Sequence, residues 1–249
     1  MNRRLHLGAL ALLLAGPAAA HTELVLNRQA RADAVGVETT LFGPVQVRLT
    51  DRDGRVLDER VLNGPGRFRI DGAGAGGLAG LRLTAVPGKP ATHDGSEYRQ
   101  PFSPYADGPI SQGFHGQASH QDAANAYALD FALLPGTPVL AARSGTVMEA
   151  VDRFPDDGGA RAADRDKANL VRILHEDGSM AVYAHLMQDS VTVTPGQWVA
   201  PGTVIGQSGN SGYSRGPHLH FAVQVNAGMR LESVPFRLRA ADGRVMAEP

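Results

Sequence analysis

Residues 216–225 read GPHLHFAVQV, and the rest of the chain is best understood outward from them. After Pro217 the run is rich in β-branched and aromatic residues and holds no glycine, so it predicts a strand. On a strand, residues i and i+2 leave the same face, roughly 6.6–6.8 Å apart along the chain. His218 and His220 therefore share one face, while Leu219 and Phe221 take the other. Zinc–nitrogen bonds are about 2.0–2.1 Å, so one ion could hold both rings, or one ring could hold it while the other carries protons. Local geometry leaves both possibilities open.

The same strand pattern runs through the chain. TPVLAA, TVMEAV, NLVRILHEDGSMAVYAHL and QWVAPGTVIG are short apolar or alternating runs, the third turning at Asp177-Gly178. Near the start, PVQVRLTDRDGRVLDERVL alternates and turns at Asp53-Gly54, and GRFRI and LRLTAV follow. Glycine (30) and proline (16) are frequent and helical periodicity is scarce, so the expected fold class is all-β throughout. Residues 21–88 are expected to form a small N-terminal β-sandwich. Breakers and polar residues in VPGKPATHDGSEYRQ predict a linker at 89–97, leaving 98–249 as a second β domain. FPDDGGARAADRDKA reads as a polar, mobile insertion between strands.

The first twenty residues, MNRRLHLGALALLLAGPAAA, combine Arg3 and Arg4, an apolar stretch from Leu7 to Ala15 and a small-residue end. That is the pattern of a secretory signal peptide, and its apolar run is too short for a membrane anchor. Cleavage after Ala20 would leave His21 first and move the net charge from −1 to −3, which gives no support for nucleic-acid binding. No other segment predicts a membrane span. With no cysteine in an exported chain, thiol catalysis and thiolate ligands are excluded. A periplasmic or extracellular location is expected.

Nine histidines occur. His6 belongs to the leader, His93 is expected to be a solvated linker residue, and His175, beside a turn, is expected to face solvent. His115, His120, His185, His218 and His220 adjoin strands or glycine turns of the second domain. His120 precedes Asp130, a carboxylate set among apolar residues in ALDFALL, where an unpartnered charge would be costly. His185 closes MAVYAHL, and strand alternation gives it the face of Ala181 and Tyr183. Two histidines and an aspartate can hold zinc, and a spare histidine can move a proton near neutral pH.

GNSGYSRGPHLHF, YAHL and SH…YALDFALLPGTPVLAARSGTV together resemble the lysostaphin-type, or LytM-type, zinc peptidases that cut peptidoglycan peptides, over roughly residues 98–228. The resemblance implies a twisted antiparallel β-sheet with the site in a groove. It implies His120, Asp130 and His220 as zinc ligands, with His218 and His185 as catalytic partners, and Asn169 and Tyr213 as residues that meet substrate. The expected substrate is a peptidoglycan peptide. Nine residues separate His120 from Asp130, where the commonest family pattern has three; a loop from Gln121 to Tyr127 must fold back, and His115 stands as the alternative first ligand.

Two other readings compete. GNSGYSRGP has a distant likeness to the nucleophile loop of trypsin-like serine proteases, with Ser211 in the nucleophile's place, but it leaves the histidine pair unexplained. A non-enzymatic activator of other wall hydrolases would be expected to lack a ligand, and here every candidate position is filled.

Overall fold

The computed structural model describes residues 25–27, 34–71, 81–159 and 161–248. The predicted signal peptide and His21 lie outside the described residues. Among those described, the chain is all-β apart from a 3₁₀ turn at Ala162–Asp164.

Six strands come first among the described residues: β1 (Val25–Asn27), β2 (Ala34–Thr39), β3 (Pro44–Thr50), β4 (Val56–Asn63), β5 (Gly66–Asp71) and β6 (Arg82–Pro87). They make two three-stranded antiparallel sheets, β1-β2-β5 and β4-β3-β6. The β3–β4 hairpin turns where the sequence expects. Gly54 takes φ 81°, and the Asp51 carboxylate accepts the backbone N–H groups of Asp53 and Arg55. Val37 from one sheet packs with Val45, Val47, Leu49, Leu62 and Leu83 of the other. Met148 and Met180 from later in the chain are fully buried in this same cluster.

The remaining strands are β7 (Tyr98–Arg99), β8 (Ile110–Gln112), β9 (Leu129–Phe131), β10 (Pro138–Leu140), β11 (Gly145–Val151), β12 (Leu170–Leu174), β13 (Met180–Ala184), β14 (Trp198–Val199), β15 (Val204–Gln207), β16 (Leu219–Asn226), β17 (Leu231–Ser233), β18 (Leu238–Arg239) and β19 (Val245–Ala247). An antiparallel sheet runs β14-β11-β12-β13-β16-β9-β8, with β17 added to β16. Two smaller sheets, β10-β15 and β19-β18-β7, accompany it. Side chains alternate across a strand. One face of the main sheet therefore buries Val147, Val171, Ile173, Tyr183, Phe221 and Val223 in the largest core.

The opposite face is divided. At one end it carries Met148 and Met180 against the first six strands, and Asn226 donates to Gln46 Oε1 at 2.9 Å and to the Gly88 carbonyl at 3.0 Å. Midway, the buried Arg172 donates to Gln224 Oε1 at 2.7 Å and to Glu149 Oε2 at 3.4 Å. At the other end Val151, Leu170, Val182 and Ala184 form a small apolar floor with Phe154. His220 leaves the same face of β16 as Gln224 and Asn226, so the N-terminal strands abut the face that bears the histidines.

The segment 89–97 is fastened to the second half of the chain. His93 Nδ1 lies 3.2 Å from Asp177 Oδ2, and Arg143 bonds both Asp177 and Asp94. The solvated His93 expected from sequence is thus largely covered, its side chain 8% exposed. His175 is also corrected: it is 3% exposed, with Nδ1 donating to the Ser144 carbonyl at 2.8 Å and its ring edge-on to Tyr98. The hairpin end that carries it is roofed by Tyr98 and the preceding segment, which local sequence does not reveal. Division of the chain at 89–97 stands as our proposal for its organisation.

Candidate metal centre

Asp130 is the middle residue of β9, and His220 is its direct antiparallel partner on β16. Opposed residues in an antiparallel pair have Cβ atoms about 4.5–5.5 Å apart, so register alone brings these two side chains together across ninety residues of sequence. His220 Nδ1 lies 2.9 Å from Asp130 Oδ1, and His120 Nε2 lies 3.2 Å from the same oxygen. The loop does fold back. His120 is fully buried, and its Nδ1–H donates to the Gly113 carbonyl at 2.9 Å, so that in the neutral ring the lone pair sits on Nε2, the atom turned to Asp130.

The donor atoms of His120, Asp130 and His220 all lie within 4.8 Å of one another. Tetrahedral bonds of about 2.0–2.1 Å require neighbouring ligand atoms about 3.3 Å apart, so this set fits such an ion with little movement. His115 is exposed, at φ 56°, with its ring against Tyr127, and is not among the grouped donors.

Two more rings line the same place. His218 Nδ1 donates to the Gly216 carbonyl at 2.8 Å with Ser214 Oγ at 3.2 Å, and its Nε2 reaches to 3.9 Å from Asp130 Oδ1. Leu219 and Phe221 are fully buried on the other side, as strand alternation requires. His185 departs from the alternation rule. It follows the last residue of β13 at φ 63°, a left-handed conformation uncommon for a non-glycine residue. That reverses the expected direction, and the ring sits 4.4 Å from His218 and 6.0 Å from His220, centroid to centroid. Surroundings fix the strained residue: Nδ1 donates to the Ser211 carbonyl at 2.7 Å, and the next amide, Leu186 N–H, donates to the Asn169 carbonyl.

Electrostatics follow from burial and charge. Burial alone would raise the Asp130 carboxyl, but bonds from His120 and His220 outweigh it and hold the group well below the carboxylate range. Burial lowers His120, yet the Asp130 carboxylate more than restores it, so its pKa lies above the ordinary value. Burial, then the neighbouring His218 and His220, pushes His185 down to about 3. His218 is lowered as well, chiefly by burial. Both rings are therefore neutral at pH 7, with Nδ1–H tied to a carbonyl and Nε2 free to accept a proton.

The weaker sequence candidates fall elsewhere. Asn169 has no exposed surface. Its amide donates to the Phe154 and Leu186 carbonyls, and its oxygen accepts Phe154 N–H, so the side chain clamps two loops beneath the site. The substrate contact that the resemblance implies for it would require this side chain to be uncovered. Tyr213 is half-buried, with the Arg165 guanidinium 5.1 Å from its ring and a backbone bridge to Gly159. Ser211 is buried, donating to the Leu186 carbonyl and accepting Asn169 N–H, an arrangement that suits no nucleophile. The polar insertion is tied down rather than free: Asp156 accepts the amides of Gln188 and Asn210, and Asp164 pairs with Arg161 and Lys167. Sequence reasoning missed Asn125, whose Oδ1 lies 3.1 Å from His220 Nε2. The only local signal was Asp122 three residues earlier, a spacing that closes an Asx turn.

The region that carries the site is similar in sequence to known proteins. The family model for peptidase family M23 matches residues 124–231, a range that contains Asp130, His185, His218 and His220. Lysostaphin from Staphylococcus staphylolyticus is 36% identical over 124 residues, which cover 49% of this chain and 22% of lysostaphin. Peptidoglycan DD-endopeptidase ShyA from Vibrio cholerae is 38% identical over 96 residues, covering 39% of this chain and 19% of that protein. The chain thus spans about a fifth of the length of these relatives. The solved catalytic domain of lysostaphin from Staphylococcus simulans has 33% identity and a TM-score of 0.33, covering 49% of this chain and 78% of that domain. Residues 124–231 are accordingly a peptidase family M23 domain, homologous to that of lysostaphin.

Proposed function

We propose that this chain is an exported zinc metalloendopeptidase that hydrolyses peptide bonds in peptidoglycan. The observation that carries the proposal is the grouping of His120, Asp130 and His220 as three donors beside two further histidines whose Nδ1 atoms are tied to backbone carbonyls. Three protein ligands with an open position are the usual composition of a catalytic zinc site. The names of two relatives, a glycyl-glycine endopeptidase and a peptidoglycan DD-endopeptidase, support peptidoglycan peptides as the substrate class. The leader-like first twenty residues support export.

In this reading His120 Nε2, Asp130 Oδ1 and His220 Nδ1 hold the ion. Bound there, zinc supplies a Lewis acid that polarises a carbonyl and makes water more acidic. His218 Nε2 takes the proton from the attacking water, because its Nδ1–H is already committed to Gly216. His185, in the same neutral form, donates from Nε2 only after gaining a proton there, and so stabilises the oxyanion or protonates the leaving amine. Val151, Leu170, Val182 and Ala184 give the substrate an apolar floor.

The test is direct. Protein prepared with zinc should carry about one ion per chain and release peptide fragments from purified wall material, and a chelator should stop this reversibly. Absence of bound zinc at neutral pH would refute the reading. Bound zinc without hydrolysis, combined with stimulation of a separate wall hydrolase, would favour the activator reading instead.

A further inference from the structure

The nine-residue spacing between His120 and Asp130 has a structural product. Within it lies Asn125, 4% exposed and placed beside His220. Its amide nitrogen lies 3.0 Å from both carboxylate oxygens of Asp122. A carboxylate only accepts, so the NH₂ group must face Asp122 and the oxygen must face His220. That oxygen only accepts too. His220 Nε2 must therefore carry its hydrogen, which it donates to Asn125 Oδ1 at 3.1 Å. In the neutral ring Nδ1, the atom turned to Asp130, is then the lone pair a metal needs.

The loop is built to keep Asn125 there. Asp122 also accepts the Ala124 amide. Gln224, on the same strand face as His220, donates to the Ala124 carbonyl at 2.8 Å. Ser233 donates to the Ala123 carbonyl through both its amide and its hydroxyl, and its Oγ accepts Tyr127 N–H. The loop is thus bonded on both sides of Asn125 to β16 and β17.

We infer that Asn125 is a positioning residue that fixes the tautomer and ring direction of His220, and that Asp122 fixes Asn125 in turn. The inference rests on the zinc reading above. Partners of this kind typically contribute 10–100-fold in metal affinity.

The experiment measures zinc affinity by competition with a chromophoric chelator, and the absorption spectrum of the cobalt-substituted protein, on wild type, Asn125→Leu and the exchange variant Asp122→Asn/Asn125→Asp. Leucine keeps the branched outline but cannot accept, so affinity should fall roughly 10–100-fold and the cobalt bands should shift. In the exchange variant the new amide at position 122 donates to the new carboxylate, which accepts from His220, so affinity and spectrum should return to within a few-fold of wild type. A general loosening of the loop would not be repaired by that exchange. Wild-type affinity in Asn125→Leu would overturn the inference while leaving the zinc reading intact, and so would failure of the exchange variant to recover. A wild-type protein that binds no zinc would bring down the underlying reading and this one with it.

Discussion

Asn169→Ala separates a structural clamp from the substrate contact that the family resemblance implies. The native side chain makes three hydrogen bonds, at 2.7 and 3.2 Å to the Phe154 and Leu186 carbonyls and at 2.8 Å from Phe154 N–H, and has no exposed surface. Truncation removes all three. At a net value of about 1 kcal/mol each, the expected loss is about 3 kcal/mol, and the vacated buried space adds to it. Domains of this kind are stable by only about 5–15 kcal/mol, so the change should be plain in urea or guanidinium unfolding of the metal-free protein. Turnover should fall with it, because Leu186 follows the strained His185. Asn169→Asp should not rescue stability, since it removes the two donated bonds and buries a charge. An unfolding free energy within about 0.5 kcal/mol of wild type, the range of an ordinary surface substitution, would refute the clamp. If KM alone rose in such a stable variant, the substrate contact expected from sequence would be restored.

His218 and His220 should differ in role. His220→Ala should lose zinc and turnover together, while His218→Ala and His185→Ala should keep zinc and lose roughly 10²–10⁴-fold in rate. Equal metal loss in His218→Ala and His220→Ala, read by metal analysis on the same preparations, would refute that division. Burial pushes the His175 pKa down from 6.5 to about 4, so between those values the unfolded chain binds a proton that the folded chain does not. Its contribution is therefore complete above about pH 6.5 and lost as pH falls toward 4, by up to about 3 kcal/mol. His175→Gln should flatten the unfolding free energy across that window, and an unchanged slope would count against it. Gly212 sits at φ 75° with an added Cβ 2.7 Å from the Ala168 amide, whereas Gly54 at φ 81° has open space. Gly212→Ala should cost clearly more than Gly54→Ala, whose penalty is the backbone cost of about 1 kcal/mol. Equal unfolding midpoints would show that the 209–214 loop yields to the added methyl.

What the sequence determined by itself was local and periodic. Alternation in PVQVRLT, LVRIL and MAVYA and the two Asp-Gly turns specify strands and hairpins, because the period of two is a property of each strand alone. The shared face of His218 and His220 followed from the same rule, with Leu219 and Phe221 in the core opposite. The identities of His120, Asp130 and His220 as candidates were legible from residue type and resemblance, though not the distances that join them. Those came from the β9–β16 register and from a loop held by Gln224 and Ser233, partners that lie about a hundred residues away in sequence. His185 shows the limit most clearly. Strand periodicity gave it the face of Ala181 and Tyr183, which proves to be the core side, and one left-handed residue, fixed by bonds to Ser211 and Asn169 from other loops, turned it into the site. His93 and His175 were misplaced for the same reason: whether a polar side chain is covered depends on which distant segment packs over it. Alternation is written in each strand, but register, loop closure and burial are settled only when strands far apart in sequence compete for one another's edges and faces.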